Sequence, residues 1–359
     1  VRAEPTPSAL LRRRLRAQGL TGPPLHTGSD GPAAVAHRLL AIQAQDPRGA
    51  RLAIRVRTRG TTAAHVDAEL TAGSLLITWL NRGTLHLARR EDYPLLQALT
   101  TPPLQTTVAT RLHQTGVDAR SAERAVALLD GWLADDGPLT RGVLRERLTA
   151  AGVPTDGQAF VHLLVRAALD GVLVRGPVVD GEHRYARVAD RMAEAAPEVA
   201  SRRADRRAAL AELAARFLAG HGPAEDRDLA RWAGLPLRDA RAGLEAIAHR
   251  LHEHPSGLLE LTDGAAPPRV PAPRVAQLLG AFEPLLMGWC SRGEVLGDRD
   301  AAVVSGGIFR AFVFVNGRPA GLWRLTGSRV TIQPFAPFAE SVGEALEREA
   351  AGVERFLGW

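Results

Sequence analysis

Residues 122–188 set the strongest limit on the fold, because three helical stripes are followed there by two extended runs. The first stripe, Ala125, Leu128, Leu129, Trp132 and Leu133, stops at Asp136-Gly137-Pro138, a run that ends helices. Thr140 is placed to cap a second helix over residues 141–151, and residues 158–169 carry a third. Residues 171–176 and 183–188 read as strands, with residues 177–182 as the tip between them. Helix, helix, helix, hairpin is the order of a winged helix, whose third helix holds the recognition position of the helix-turn-helix plan.

A similar order returns. A helix from Asp205 through Leu213, Phe217 and Leu218 ends at His221-Gly222-Pro223, which answers Gly137-Pro138. Helices over residues 226–233 and 236–252 and a short strand over 258–261 follow. Two such units argue for a tandem repeat. Residues 8–18, 32–45 and 62–70, with extended runs 75–80 and 84–88 joined through Asn81-Arg82-Gly83, read as a divergent third copy. The proline-rich stretch 265–273 marks a boundary. Beyond it, strand-like runs 308–315 and 319–325 meet at Asn316-Gly317, a strong hairpin signal, and residues 328–334 extend the sheet before a final helix over 342–357. The expected fold is therefore α+β and mainly helical, with three tandem winged-helix motifs and a small C-terminal antiparallel sheet. Its domains are expected at residues 1–118, 119–200, 201–264 and 265–359.

At 359 residues and 45% hydrophobic, the chain can bury two or three cores. All 45 Lys+Arg residues are arginine, and the formal charge is +6. Such an excess points to a polyanion such as nucleic acid, although an arginine bias is also what a GC-rich genome produces. Without lysine, no side-chain amine exists to form a Schiff base. Cys290 is the sole cysteine, which excludes intramolecular disulfides and cysteine-based zinc or iron–sulfur sites. No apolar run approaches the ~20 residues that span a bilayer, and residues 1–18 are too charged for a signal peptide, so a cytoplasmic protein without membrane contact is expected. No glycine-rich phosphate loop is present. His249, His252 and His254 come nearest to a metal cluster but lack convincing ligand spacing, so neither cofactor nor metal is expected.

The site candidates begin at Gln43-Ala44-Gln45-Asp46-Pro47. Val35, Leu39, Leu40 and Ile42 fit a helical stripe, and Pro47 pushes Asp46 out of helical geometry. Side chains two apart on a regular helix diverge by roughly 200°, so both amides can face one cavity only where the helix frays. Asp46 is the nearest carboxylate, with a cap or turn role weighed against activation of water. Arg48, Arg51 and Arg55 share a face at helical spacing; alternatively, they line a strand face with Arg57 and Arg59, since Leu52, Ile54 and Val56 alternate with them. Either way, a basic strip follows the glutamines and is a candidate phosphate contact. Arg310, Arg318 and Arg324, assigned to the C-terminal hairpin, are a second candidate for tracking a DNA groove. Arg12-Arg13-Arg14 and Arg202-Arg203 with Arg206-Arg207 read as helix surface.

Three winged-helix units with a β tail and an early Gln-Ala-Gln resemble the AlkZ-type DNA glycosylases, a winged-helix family that includes the YcaQ-like proteins. Besides residues 43–47, the resemblance rests on Thr78-Trp79-Leu80-Asn81-Arg82-Gly83-Thr84-Leu85-His86-Leu87, Trp232-Ala233-Gly234-Leu235-Pro236-Leu237-Arg238-Asp239-Ala240 and Gly306-Gly307-Ile308-Phe309-Arg310. It covers nearly the whole chain. Members remove N7-alkylated purines, and some unhook interstrand crosslinks made by bacterial genotoxins as self-resistance enzymes. Their catalytic motif is glutamine, an apolar residue, glutamine, which Gln43 and Gln45 match; some relatives carry Asp at the second position. The resemblance also implies a C shape around a basic channel, with Arg82 and His86 near the site. The expected partner is double-stranded DNA containing alkylated purines, met by a monomer that needs no protein partner, in the nucleoid.

Amides suit that chemistry. N7-alkylation already places positive charge on the base, so protonation of the leaving group is redundant. What remains is to stabilise an oxocarbenium-like sugar and hold a water, and an amide does both without titrating. The residues leave open which glutamine holds the water. The competing reading is a winged-helix transcription regulator, with residues 158–169 and 236–252 inserted in major grooves and both glutamines dispensable.

Overall fold

A computed structural model of the chain describes residues 7–193, 205–262 and 269–359. It divides into two compact units that interleave along the sequence: Val1–Val66 with Leu210–Trp232 and Pro236–Trp359, and Asp67–Ala209 with Ala233–Leu235. The division differs from four consecutive segments, because residues far apart in sequence close each core. No described helix is long and apolar enough to cross a membrane.

In the second unit, the helices Ala119–Asp136, Arg141–Ala150 and Ala159–Leu169 precede the strands Leu173–Val179 and Glu182–Arg187, the expected order. Asp118 caps the first helix by accepting from the Ser121 amide at 2.7 Å, and Thr140 caps the second through Val143 at 3.3 Å. The hairpin turns at Asp180-Gly181, both at positive φ. Its first strand joins Leu75–Leu80 at Ile77↔Arg175, giving an antiparallel order Thr84–Arg89, Leu75–Leu80, Leu173–Val179, Glu182–Arg187. The early hairpin, assigned in sequence to a separate module, thus shares a sheet with the wing. Leu76, Tyr93, Val174 and Val188 pack together beneath it. The third helix buries Phe160, Leu163, Leu164, Val165, Ala167, Ala168 and Leu169, and so has little surface left to read a groove.

The first unit contains a four-stranded antiparallel sheet of Ala276–Leu279, Phe312–Val315, Arg318–Thr326 and Arg329–Pro334, against which the helix Glu340–Leu357 packs. Asn316 and Gly317, with φ of 48° and 81°, make the expected tight turn. At the tip Asn316 is exposed while Gly317 is buried: a Cβ on Gly317 would collide with Pro7 and come within 3.1 Å of Pro273 and 3.4 Å of Leu15, so one side of the turn packs on the core. The run 308–315 is also not one strand: Ile308–Phe309 pairs back on Val304–Ser305, and Phe312–Val315 joins the main sheet. The expected helix 236–252 stops at Ala246, and Leu251–Glu253 forms a strand against Leu259–Leu261.

Polar groups tie this core together. Arg57 and Glu283, both 0% exposed, form an ion pair. Arg57 also donates to the carbonyls of Gln18 at 2.7 Å and Ala53 at 2.8 Å, and the Gln18 amide donates to the Gly220 carbonyl at 2.7 Å. His221 stacks on Phe217 at 4.8 Å, meets Trp289 edgewise and lies against a tilted Trp232 ring. Burial pushes its pKa down to about 3, with Arg57 and Arg38 adding to the shift and the Phe217 carbonyl opposing it.

Candidate active site

The helix expected to carry Gln43 and Gln45 ends at Leu39, well before the amides. No glycine or proline marks this end. Leu40 turns the chain with φ 66° and ψ −47°, an unfavourable conformation for leucine that its complete burial sustains. Ile42–Gln43 is then extended, and Asp46, also extended, begins the next helix, Pro47–Arg55. The amides therefore sit in a connector between two helices and not in a fraying last turn. The extended pair ends at Gln43 and Gln45 lies in a bend, so a turn of the chain, and not a regular repeat, sets the two amides.

The two amides differ in setting. Gln43 is 7% exposed, and its Oε1 meets no hydrogen-bond donor among the described residues. Gln45 is exposed. A buried acceptor without a donor costs about 1–3 kcal/mol, and such a group in a native fold calls for an explanation. The Asp46 carboxylate is already committed as an N-cap, with Oδ1 accepting from the amides of Arg48 at 2.8 Å and Gly49 at 2.9 Å. Capping, and not water activation, is the role its geometry supports.

The helix after the motif is held by contact at two glycines. A Cβ on Gly49 would collide with the carbonyl oxygen of Ala281, and one on Gly280 would come within 3.0 Å of Leu52. Its helical geometry settles the reading of the basic strip. Arg48 is exposed, and Arg51 is half-buried and donates to the Pro47 carbonyl at 2.8 Å. Arg55 pairs with Glu349 at 2.7 Å. Arg57, which the strand alternative placed beside them, lies in the core.

The three C-terminal arginines separate. Arg310 and Arg324 are exposed and line one cleft of about 710 Å³ with Ala281, Ile308, Phe309 and Trp323. Arg318 is half-buried and donates to the Glu294 carbonyl at 3.3 Å.

In the second unit, Arg82 is exposed in the turn Asn81–Gly83, at φ 57°. Gly234 lies against that turn, at a distance where a Cβ would stand 3.0 Å from the Arg82 amide nitrogen. Two of the segments that carry the family resemblance therefore meet. His86, opposite Thr78 in the sheet, is 4% exposed, and burial lowers its pKa to about 4, while the Thr84 carbonyl opposes the shift and Arg82 reinforces it. Its Nδ1 donates to that carbonyl at 2.9 Å, so the ring is neutral near pH 7 and offers a phosphate no charge. Two buried polar residues beside it escaped the sequence reading. Asn81 is 0% exposed with neither amide atom hydrogen-bonded among the described residues, and Thr78 Oγ1 is likewise without a partner. The available signal was a hydroxyl and an amide at the end of an otherwise apolar strand.

His86 and His221 give a first testable consequence. Both are neutral when folded and free to take a proton when unfolded, near the ordinary value of 6.5. Stability is fully present above that value and is lost as pH falls toward about 4 and about 3. Urea unfolding is expected to show a loss of a few kcal/mol between about pH 7.5 and about pH 4.5, relieved in part by His221→Phe. A flat profile would contradict the burial of both rings.

Among the described residues, one cluster has metal-ligand spacing: Glu225, Asp228 and Cys290. Its geometry has a structural account. Asp228 accepts from the amides of Cys290 at 2.7 Å and Glu225 at 3.1 Å and faces Arg14 at 3.8 Å. Of the three histidines noted in the sequence, His254 faces Glu260 at 3.0 Å and His252 packs edgewise on His254.

Comparison with known proteins identifies the family. An interstrand DNA cross-link repair glycosylase from Streptomyces sahachiroi is 26% identical over 349 residues, covering 90% of each chain. The solved structure of the Streptomyces sahachiroi DNA glycosylase AlkZ aligns with a TM-score of 0.73 at 26% identity, over 97% of this chain and 95% of that one. Residues 36–356 match the family described as DNA glycosylase AlkZ-like, so the segment with both glutamines, the turn at Arg82 and the C-terminal sheet all fall within the match, and the chain belongs to the AlkZ-like DNA glycosylase family.

Proposed function

We propose that this protein is a monofunctional DNA glycosylase that hydrolyses the N-glycosidic bond of N7-alkylated purines, including purines joined in interstrand crosslinks. Its setting would be base-excision repair and the self-resistance of a cell that makes a DNA-alkylating compound. The carrying observation is Gln43: a buried carbonyl oxygen without a donor, in the segment that matches the catalytic motif of the family. Gln43 Oε1 accepts from the attacking water, and Gln45, more exposed, faces the substrate side. The bond from C1′ to N9 breaks with its electron pair going to the cationic base, which leaves as a neutral alkylpurine. Water adds to the oxocarbenium carbon, and its proton passes to solvent. The absence of lysine from all 359 residues supports hydrolysis without a lyase step.

The order helix, helix, helix, hairpin in residues 119–187 supports a winged-helix module there. Arg48, Arg82, Arg310 and Arg324, all exposed, are the arginines we assign to the DNA backbone; Arg51 and Arg55 are secondary contacts, since each already donates to the protein. The regulator reading loses ground because the third helix, which it would insert in a major groove, is largely buried.

The test is release of free 7-methylguanine from an N7-methylated duplex, with and without excess chelator, beside a Gln43→Ala, Gln45→Ala double variant. Chelator-resistant release that disappears in the variant is the expected result. No release from either the methylated duplex or a crosslinked one would instead favour a DNA-binding protein without catalysis.

A further inference from the structure

The glycosylase chemistry leaves one charged cleft of the first unit unused. Between the helix Glu340–Leu357, the strand Ala276–Leu279 and the stretch after Arg55 lies a cavity of about 560 Å³. That volume falls within the roughly 300–1,000 Å³ of small-ligand sites. Five arginines line it, Arg55, Arg59, Arg274, Arg348 and Arg355, against one carboxylate, Glu349. Glu349 is engaged, since it accepts from Arg55 at 2.7 Å. Arg274 is fixed by donation to the Val56 carbonyl at 2.6 Å. Arg59 and Arg355 are exposed and have no ion-pair partner among the described residues.

Two further observations point to an anion. Gln277, a lining residue, is 2% exposed, and its Nε2 has no acceptor among the described residues. A buried donor left unpaired is costly unless an acceptor comes to it. Burial lowers the Arg274 pKa, Glu349 opposes this, and the positive charges of Arg57, Arg55 and Arg59 lower it again, so positive charge here exceeds what the single carboxylate offsets.

We propose that this cleft binds a phosphate-bearing ligand of at least two negative charges, encountered either as a free nucleotide or as successive backbone phosphates of a DNA strand. Guanidinium forks match phosphate oxygens in geometry and charge, and Gln277 supplies a neutral donor to a non-charged face of the ligand. All of these residues lie within one unit, so the inference stands independently of the reaction assigned above.

The experiment is calorimetric titration of the full chain with inorganic pyrophosphate at low salt. Wild type is expected to show saturable one-to-one binding, weakened at least roughly tenfold in an Arg59→Gln, Arg355→Gln double variant and several-fold in Gln277→Leu. Arg329→Gln, at an exposed arginine outside this cleft, is expected to bind as wild type does. Absence of saturable binding, or an equal loss in Arg329→Gln, would overturn the site in favour of diffuse surface charge. Competition then separates the two sources: displacement by a short undamaged duplex identifies DNA phosphates, and displacement by a nucleoside triphosphate alone identifies a free nucleotide. Displacement by neither would also overturn the proposal.

Discussion

Gln43→Ala is expected to slow release of an N7-alkylated purine by about 10²–10³-fold, the usual effect of removing one preorganised polar group from the transition state. Gln45→Ala, by contrast, is expected to cost roughly tenfold, the scale of one more exposed hydrogen bond. The ranking follows from burial. Gln43 Oε1 is shielded and without a donor, so a water bound there is held in one orientation, while Gln45 is exposed and competes with bulk solvent. Single-turnover kinetics on an N7-methylated duplex separates the chemical step from product release. A reversed ranking would move the water to Gln45, and two silent variants would remove the amides from the mechanism. Gln43→Glu offers a sharper comparison. It restores an acceptor but adds a carboxyl that burial biases toward the neutral acid, so its rate should rise with pH where wild type stays level.

The second large effect is on stability. Glu283→Ala leaves Arg57 as an uncompensated charge at 0% exposure, and the expected loss is about 3–5 kcal/mol in urea unfolding. Arg57→Met with Glu283→Leu is expected to recover most of that loss, because both charges leave the core together and apolar groups of similar volume replace them. A double variant as unstable as Glu283→Ala would show that the hydrogen bonds of Arg57 to Gln18 and Ala53, and not the ion pair, hold the core.

Local signals carried most of the secondary structure. Asn316-Gly317, Gly137-Pro138 and the cap at Thr140 act over a few residues, and each marks a turn or helix boundary found where the sequence suggests. The early end of the helix before Gln43 was not legible, because Leu40 adopts a backbone state set by packing and not by its own preference. The packing around Gly317 was not legible for a similar reason: glycine announces the turn but says nothing of Pro7, Leu15 and Pro273 around it. At the site, the residue types of the motif were readable and their inequality was not, since only burial distinguishes Gln43 from Gln45. The interleaved units were beyond local reading, as Arg57 meets Glu283 across more than half the chain.

The backbone contact of Gly49 with Ala281 has a temporal side. During synthesis, residues 43–49 leave the ribosome long before the strand Ala276–Leu279 and the residues after it exist to receive them. Until that later segment emerges, the helix that follows Gln43 and Gln45 lacks the backbone of Ala281 against which Gly49 packs. That helix therefore gains this seat only late in translation, when the first and last parts of one core find each other.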